Sequence, residues 1–207
     1  MNYPPRRQWG FTLIELMVTI AVVLTFAILA VPSFQSLRQR SALRGAGDQM
    51  LSFWNQARFE AAKRNSNIKV AVVQSNSGGS FCFGAATTAS TSVTASCDCF
   101  TANACNVAGF PAVNQQADWN NVKLSGVTLG SSDWPTSATI GQAVIEPKRT
   151  ALTVAARAGT VTLNGPTLGN KAYKLRLIVD RFGRGVLCEP TSAVDKLSDY
   201  HNQRCSP

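Results

Sequence analysis

Six cysteines are the first residues in this chain that could do chemistry: Cys82, Cys97, Cys99, Cys105, Cys188 and Cys205. They fit either a metal or a set of disulfides. The spacing Cys97-x-Cys99-x5-Cys105 is not that of zinc-binding C-x2-C pairs, and the single histidine, His201, stands six places before the last residue. Disulfides made outside the cytosol are the expected state. Cys188 ends a strand-like stretch and Cys205 closes a polar tail, so these two are predicted to pair. Cys82 is predicted to pair into the Cys97–Cys105 segment, with Cys97, Cys99 and Cys105 all open as its partner. No Gly-x-Ser-x-Gly elbow, Walker A loop or Gly-x-Gly-x-x-Gly turn occurs. The sequence therefore predicts no enzyme, no cofactor and no metal.

A second chemical feature is a carboxylate in an apolar setting. Phe11 to Val31, FTLIELMVTIAVVLTFAILAV, is a run of 21 residues whose one charge is Glu15. As a helix it would span about 30 Å, the hydrocarbon core of a bilayer. Arg6 and Arg7 precede it and predict a cytoplasmic N-terminus. A carboxylate there costs about 2.5–3.5 kcal/mol on insertion scales. The helix dipole returns only about 0.3–1 kcal/mol, so Glu15 is expected to have a functional partner. Small-residue cleavage after the run, as in a secretory signal, is not seen; Gly10 stands before it instead.

A third feature is charge. Twenty Lys and Arg against eleven Asp and Glu give +9, which favours anionic partners without choosing among them. Lys171, Lys174, Arg176, Arg181 and Arg184 gather near the C-terminus, against Asp180. Such a group suits phosphate contact or a solvated sheet face.

Those residues need elements to position them. Leu43, Gly47, Met50, Trp54, Ala57 and Ala61 recur at spacings of three and four, which predicts an amphipathic helix continuing to about residue 64 and covering a sheet. Pro32 predicts a kink or local melting, and Gly45 and Gly47 weaken the helix or permit close packing. Strands are predicted at Asn67–Gln74, Ser80–Ala85, Val122–Leu129, Ala143–Glu146, Thr160–Asn164, Ala172–Asp180 and Arg184–Glu189. Tyr173, Leu175, Leu177 and Val179 share one face, Lys174 and Arg176 the other. Thr87–Asn106 is predicted as an exposed, disulfide-tied loop. The expected class is α+β: a long N-terminal transmembrane-plus-amphipathic helix packed on a C-terminal antiparallel β-sheet domain. The expected divisions are a leader (1–10), the helix (11–64, with 11–31 in the membrane) and a β-rich periplasmic or extracellular domain (65–207).

The stretch Gly10-Phe11-Thr12-Leu13-Ile14-Glu15-Leu16-Met17-Val18 resembles the class III signal of type IV pilins and type II secretion pseudopilins. The resemblance implies cleavage by prepilin peptidase between Gly10 and Phe11 and N-methylation of Phe11. It implies that Glu15 pairs with the Phe11 amine on its own or a neighbouring subunit during assembly. Val144-Ile145-Glu146-Pro147-Lys148-Arg149, Ala158–Leu163 and Tyr173–Arg184 are similar to segments of the GspH/FimT/FimU subgroup, and this resemblance implies that the β-rich domain is a two-sheet, sandwich-like one. The implied protein is a minor pilin in the bacterial inner membrane that primes or caps a type IV pilus. A minor pseudopilin of type II secretion is the alternative. Its partners would be other pilins, the peptidase and membrane lipid. Some FimT-like members are associated with DNA capture through Gly-Arg-x-Arg at the closing hairpin. Here Gly183-Arg184-Gly185-Val186 keeps the first arginine and has valine for the second; DNA contact would fall to Lys174, Arg176, Arg181 and Arg184.

Overall fold

A computed structural model describes residues 10–74, 81–89, 97, 99–100, 105, 107, 122–127, 139–149, 159–166, 171–191, 193–197, 200 and 205, with backbone only at 29–33, 74, 124–127 and 139–142. Helix α1 runs Leu13–Arg64, 52 residues, or about 78 Å. Thr12 caps its start: the Thr12 hydroxyl accepts from the Glu15 amide at 3.3 Å. Asn65 closes its end in the left-handed region, φ 45° and ψ 41°, and its N–H reaches the Ala61 and Ala62 carbonyls. The helix continues through position 32, so the melting expected at Pro32 does not occur. One lost hydrogen bond inside many flanking turns of good helix formers does not unwind them.

Seven strands follow: β1 Asn67–Gln74, β2 Phe81–Thr88, β3 Lys123–Val127, β4 Thr139–Ile145, β5 Gly159–Asn164, β6 Lys174–Val179 and β7 Gly185–Cys188. They form two antiparallel sheets, ordered β2-β1-β4 and β3-β5-β6-β7. Every predicted strand is present: β1 has the predicted bounds, and the others have ends shifted by up to four residues. The α+β class with antiparallel strands is the one the alternation predicted, and two sheets are what the GspH/FimT/FimU resemblance implied.

The inward residues of both sheets meet α1 in one core. Leu43, Met50, Trp54, Ala57 and Ala61 face Ile68, Val70 and Val72 of β1, Val161 and Leu163 of β5, and Leu175, Leu177 and Val179 of β6. Burial at about 25 cal/mol per Å2 of apolar area is what holds helix and sheets together. Gly47 is a packing glycine: a β-carbon there would run into the Leu175 side chain. Gly45 has open space around it.

Along α1 the contacts with the second sheet come in order. Gln39 Nε2 donates to the Pro166 carbonyl at 2.8 Å, Leu43 lies by Gly165, Gly47 by Leu175, and Leu51 by Gly185. Trp54 Nε1 donates to the Gly183 carbonyl at 2.8 Å. Helix and β6 therefore point the same way. The end of the sheet holding Asn164 and Lys174 faces back toward the apolar run; the Asp180–Arg184 turn lies at the far end.

Candidate functional site at the helix start

Gly10, Phe11 and Glu15 lie within the first turn and a half of chain around the cap. Phe11 is 81% exposed, and the apolar side chains from Leu13 to Ile28 also lie exposed. Thr12-Leu13-Ile14-Glu15 has the spacing of a capping box. Only the Thr12 half forms within the described residues: the amide of Glu15 is held, and its exposed carboxylate has no hydrogen bond or ion pair among them. The cap thus fixes the backbone from which the carboxylate projects and keeps it one turn from the Phe11 backbone. An amine at that position and a carboxylate on the adjoining turn, or on a neighbouring copy, can form an ion pair. Arg6 and Arg7 lie outside the described residues, as does His201.

All six cysteines are paired, which leaves no thiolate for zinc. Cys188 joins Cys205, with α-carbons 5.2 Å apart, and the Cys205 amide donates to the Glu189 carbonyl. Cys82 joins Cys99 and Cys97 joins Cys105. These last two bridges seat their segment on the outer face of the first sheet, against Ala71 and Val73. Gly84 makes the room, since a β-carbon there would meet the sulfurs of Cys105 and Cys97. The segment expected to be an exposed loop is thus buried at Cys97 and Cys99, because disulfide sulfur is apolar and Gly84 leaves room for it on the strand beneath. Thr87 and Thr88, also placed in that loop, extend β2.

Lysine 69 was not singled out from the sequence. It is 2% exposed on β1, on the face shared with Ala71 and Val73, and opposite Ala86 and Val144 in register. Its Nζ has no hydrogen-bond partner among the described residues, and burial pushes the amine below the usual lysine range. A signal existed: NIKVAVVQ is apolar on both faces around the lysine, the pattern of a strand covered on both sides. Glu60 is another buried ionisable group, bonded at 2.7 Å to Arg64. The Arg64 guanidinium holds its carboxyl below the usual carboxylate range.

The four cations proposed for DNA do not converge. Lys174 and Arg176 lie half-buried on the outer face of the second sheet, and Arg176 Nε donates to Thr162 Oγ1 at 3.1 Å. Arg181 and Arg184 sit beyond the other end of β6, and Arg184 is tied to Asp180 at 3.1 Å. Val186, where the DNA-associated motif has its second arginine, is exposed beside them.

Residues 5–31 match the prokaryotic N-terminal methylation motif, a type IV pilin-like prepilin signal. No curated protein and no solved structure matches the chain. Among the described residues no helix is long and apolar enough to cross a membrane. The part of the run with described side chains in α1, Leu13 to Ile28, is sixteen residues, or about 24 Å, and a hydrocarbon core is about 30 Å. Residues 29–31, which complete the run in sequence, are described by backbone alone.

Proposed function

We propose that the chain is a minor subunit of a type IV pilus, anchored in the bacterial inner membrane by residues 11–31 and needed to start or cap the filament. The observation that carries this is the set Gly10, Phe11 and Glu15 at the capped, exposed start of α1, inside the stretch that matches the methylation motif. Cleavage after Gly10 creates an amine at Phe11, and methylation leaves that amine basic. In hydrocarbon neither the amine nor the Glu15 carboxylate is tolerated alone, so each subunit gains by placing one against the other. Pairing between neighbours fixes how far one helix sits above the next. The two-sheet domain packed on α1 supports the GspH/FimT/FimU reading, and secretion pseudopilins of that subgroup share the same chemistry.

Intact mass spectrometry of the protein from its native host tests the processing. The expected N-terminus is Phe11 carrying one methyl group. An N-terminus still at Met1, in cells with active prepilin peptidase, overturns the assignment. Glu15→Ala should insert into the membrane and enter filaments poorly. Its incorporation at the wild-type level would remove the pairing role. Loss of pili, or of secretion, on deleting the gene separates the two kinds of filament.

A further inference from the structure

The end of the domain that faces the apolar run is basic. Because α1 and β6 point the same way, this end gathers Arg38 of α1 with Lys123, Lys171, Lys174 and Lys196, while Arg40 lies half-buried there with its guanidinium 5.0 Å from the Tyr173 ring. Lys123 and Lys174 flank Asn164 in adjoining register pairs. The 193–197 segment is held beside them by the Tyr173–Asp195 bridge and by the Ala172 amide, which donates to Asp195 Oδ2 at 2.7 Å. The described carboxylates at this end are Asp195 and Glu189, and both serve the backbone: Glu189 Oε1 accepts from the Leu197 amide at 2.8 Å. The far end of the domain carries Glu60 paired with Lys63 and Arg64, and Asp180 paired with Arg184, together with Glu146, Lys148, Arg149 and Arg181; what sets the near end apart is its place beside the apolar run.

Apolar side chains lie among these cations. Val194 is 84% exposed between Ala193 and Asp195, and Phe34 and Leu37 are exposed on α1 just below Arg38. The Arg38 guanidinium lies 5.1 Å from the Phe34 ring. A surface that mixes projecting lysines and arginines with isolated apolar groups is the composition of a membrane-interface element.

Position agrees with composition. Gln39, level with the sheet's basic end through its bond to Pro166, follows Val31 by eight residues, or about 12 Å of helix. Headgroups extend about 5–7 Å beyond the hydrocarbon. The remaining gap of about 5 Å is shorter than the Debye length of about 8 Å at physiological salt.

We infer that this basic end is a docking surface for anionic phospholipid headgroups, which seats the folded domain on the bilayer before the subunit enters a filament. It rests on reading residues 11–31 as the membrane anchor. The cations attract the lipid phosphates, Val194 enters the headgroup layer, and the distal Asp180–Arg184 turn stays in water. Assembly into a filament then has to lift the domain off the lipid, so lipid charge tunes how readily the subunit is taken up.

The test is hydrogen exchange on the full chain in nanodiscs, one set of phosphatidylcholine alone and one of phosphatidylcholine with phosphatidylglycerol. With anionic lipid, peptides covering 171–174 and 193–197 should gain protection that high salt removes, while 180–184 stays unchanged. Each basic side chain near an anionic surface is worth about fivefold in binding. Lys171→Gln with Lys196→Gln should therefore cut that protection about 25-fold, with the 180–184 peptide reporting that the domain is still folded. Equal exchange at 171–174 and 193–197 in both bilayers, while 11–31 is protected in both, overturns the docking surface alone. So does a double variant that behaves as wild type, or protection that appears at 180–184 instead. Free exchange of 11–31 in both bilayers overturns the membrane anchor, and the docking surface with it.

Discussion

Replacing Lys69 with methionine should stabilise the protein. The side chain is buried on the central strand of the first sheet, on the face that the double-disulfide segment covers at Ala71 and Val73, and its Nζ has no partner among the described residues. Methionine has similar length and needs none. An unsatisfied buried polar group costs about 1–3 kcal/mol, so Lys69→Met should gain about that much at pH 7. For a chain of this size the gain corresponds to a rise in melting temperature of roughly 3–10 °C. The sign with pH follows from the lowered lysine value. The unfolded chain holds this proton up to about pH 10.4 and the folded chain releases it earlier. Between those two values the unfolded state binds more protons, so wild-type stability rises with pH by up to about 1.36 kcal/mol per unit. Below the folded value the cost of burying Lys69 is constant. The advantage of the methionine variant should therefore be full below the folded value and shrink as pH climbs from there toward about 10. Thermal unfolding of both proteins in detergent, with disulfides intact, from pH 6 to pH 10 gives the difference directly. A variant less stable than wild type at pH 7, or a difference that does not change with pH, would refute the unpartnered amine.

Three further outcomes can be checked on the same preparation. Gly84→Ala places a methyl group against the Cys97 and Cys105 sulfurs and should cost about 1–3 kcal/mol; peptide mapping should find free thiol among Cys82, Cys97, Cys99 and Cys105, and none at Cys188 or Cys205. Trp54→Phe removes the 2.8 Å bond to the Gly183 carbonyl, which closes a turn where Gly183 has φ 75°, and should lower stability by about 1–3 kcal/mol in denaturant titrations. Glu60→Gln should alter acid unfolding. The lowered Glu60 value means its stabilisation is present above about pH 4.5 and is lost as pH falls through the folded value, so the variant should show the shallower pH profile in that range.

Sequence alone determined the features that depend on neighbours along the chain. The apolar run, its lone Glu15 and the Gly10-Phe11 junction are contiguous, and a peptidase or a bilayer reads them as such. The helix stripe of Leu43, Gly47, Met50, Trp54, Ala57 and Ala61 is fixed by the 3.6-residue period, and all six are buried. The alternation in β6 likewise set Leu175 and Leu177 inward and Lys174 and Arg176 outward. The Cys188–Cys205 pair was legible because a strand end and a short polar tail leave one plausible closure.

Only the tertiary structure decided what depends on elements meeting across sequence distance. Cys97 and Cys99 are two residues apart, so spacing could not assign Cys82. The seat over Gly84 gives Cys82 to Cys99 and Cys97 to Cys105. The burial of Lys69 follows from what packs on the outer face of β1, and no neighbour along the chain supplies that cover. The cations read as one group near the C-terminus are split along β6, because 3.3 Å of rise per residue carries Arg184 away from Lys174. Lys171 and Lys174 instead join Lys123 and the arginines of α1, a grouping set by the parallel course of helix and strand. Local periodicity fixes which side of an element is buried; it carries no information on which end of one element lies beside which end of another, and that pairing is what makes the basic surface.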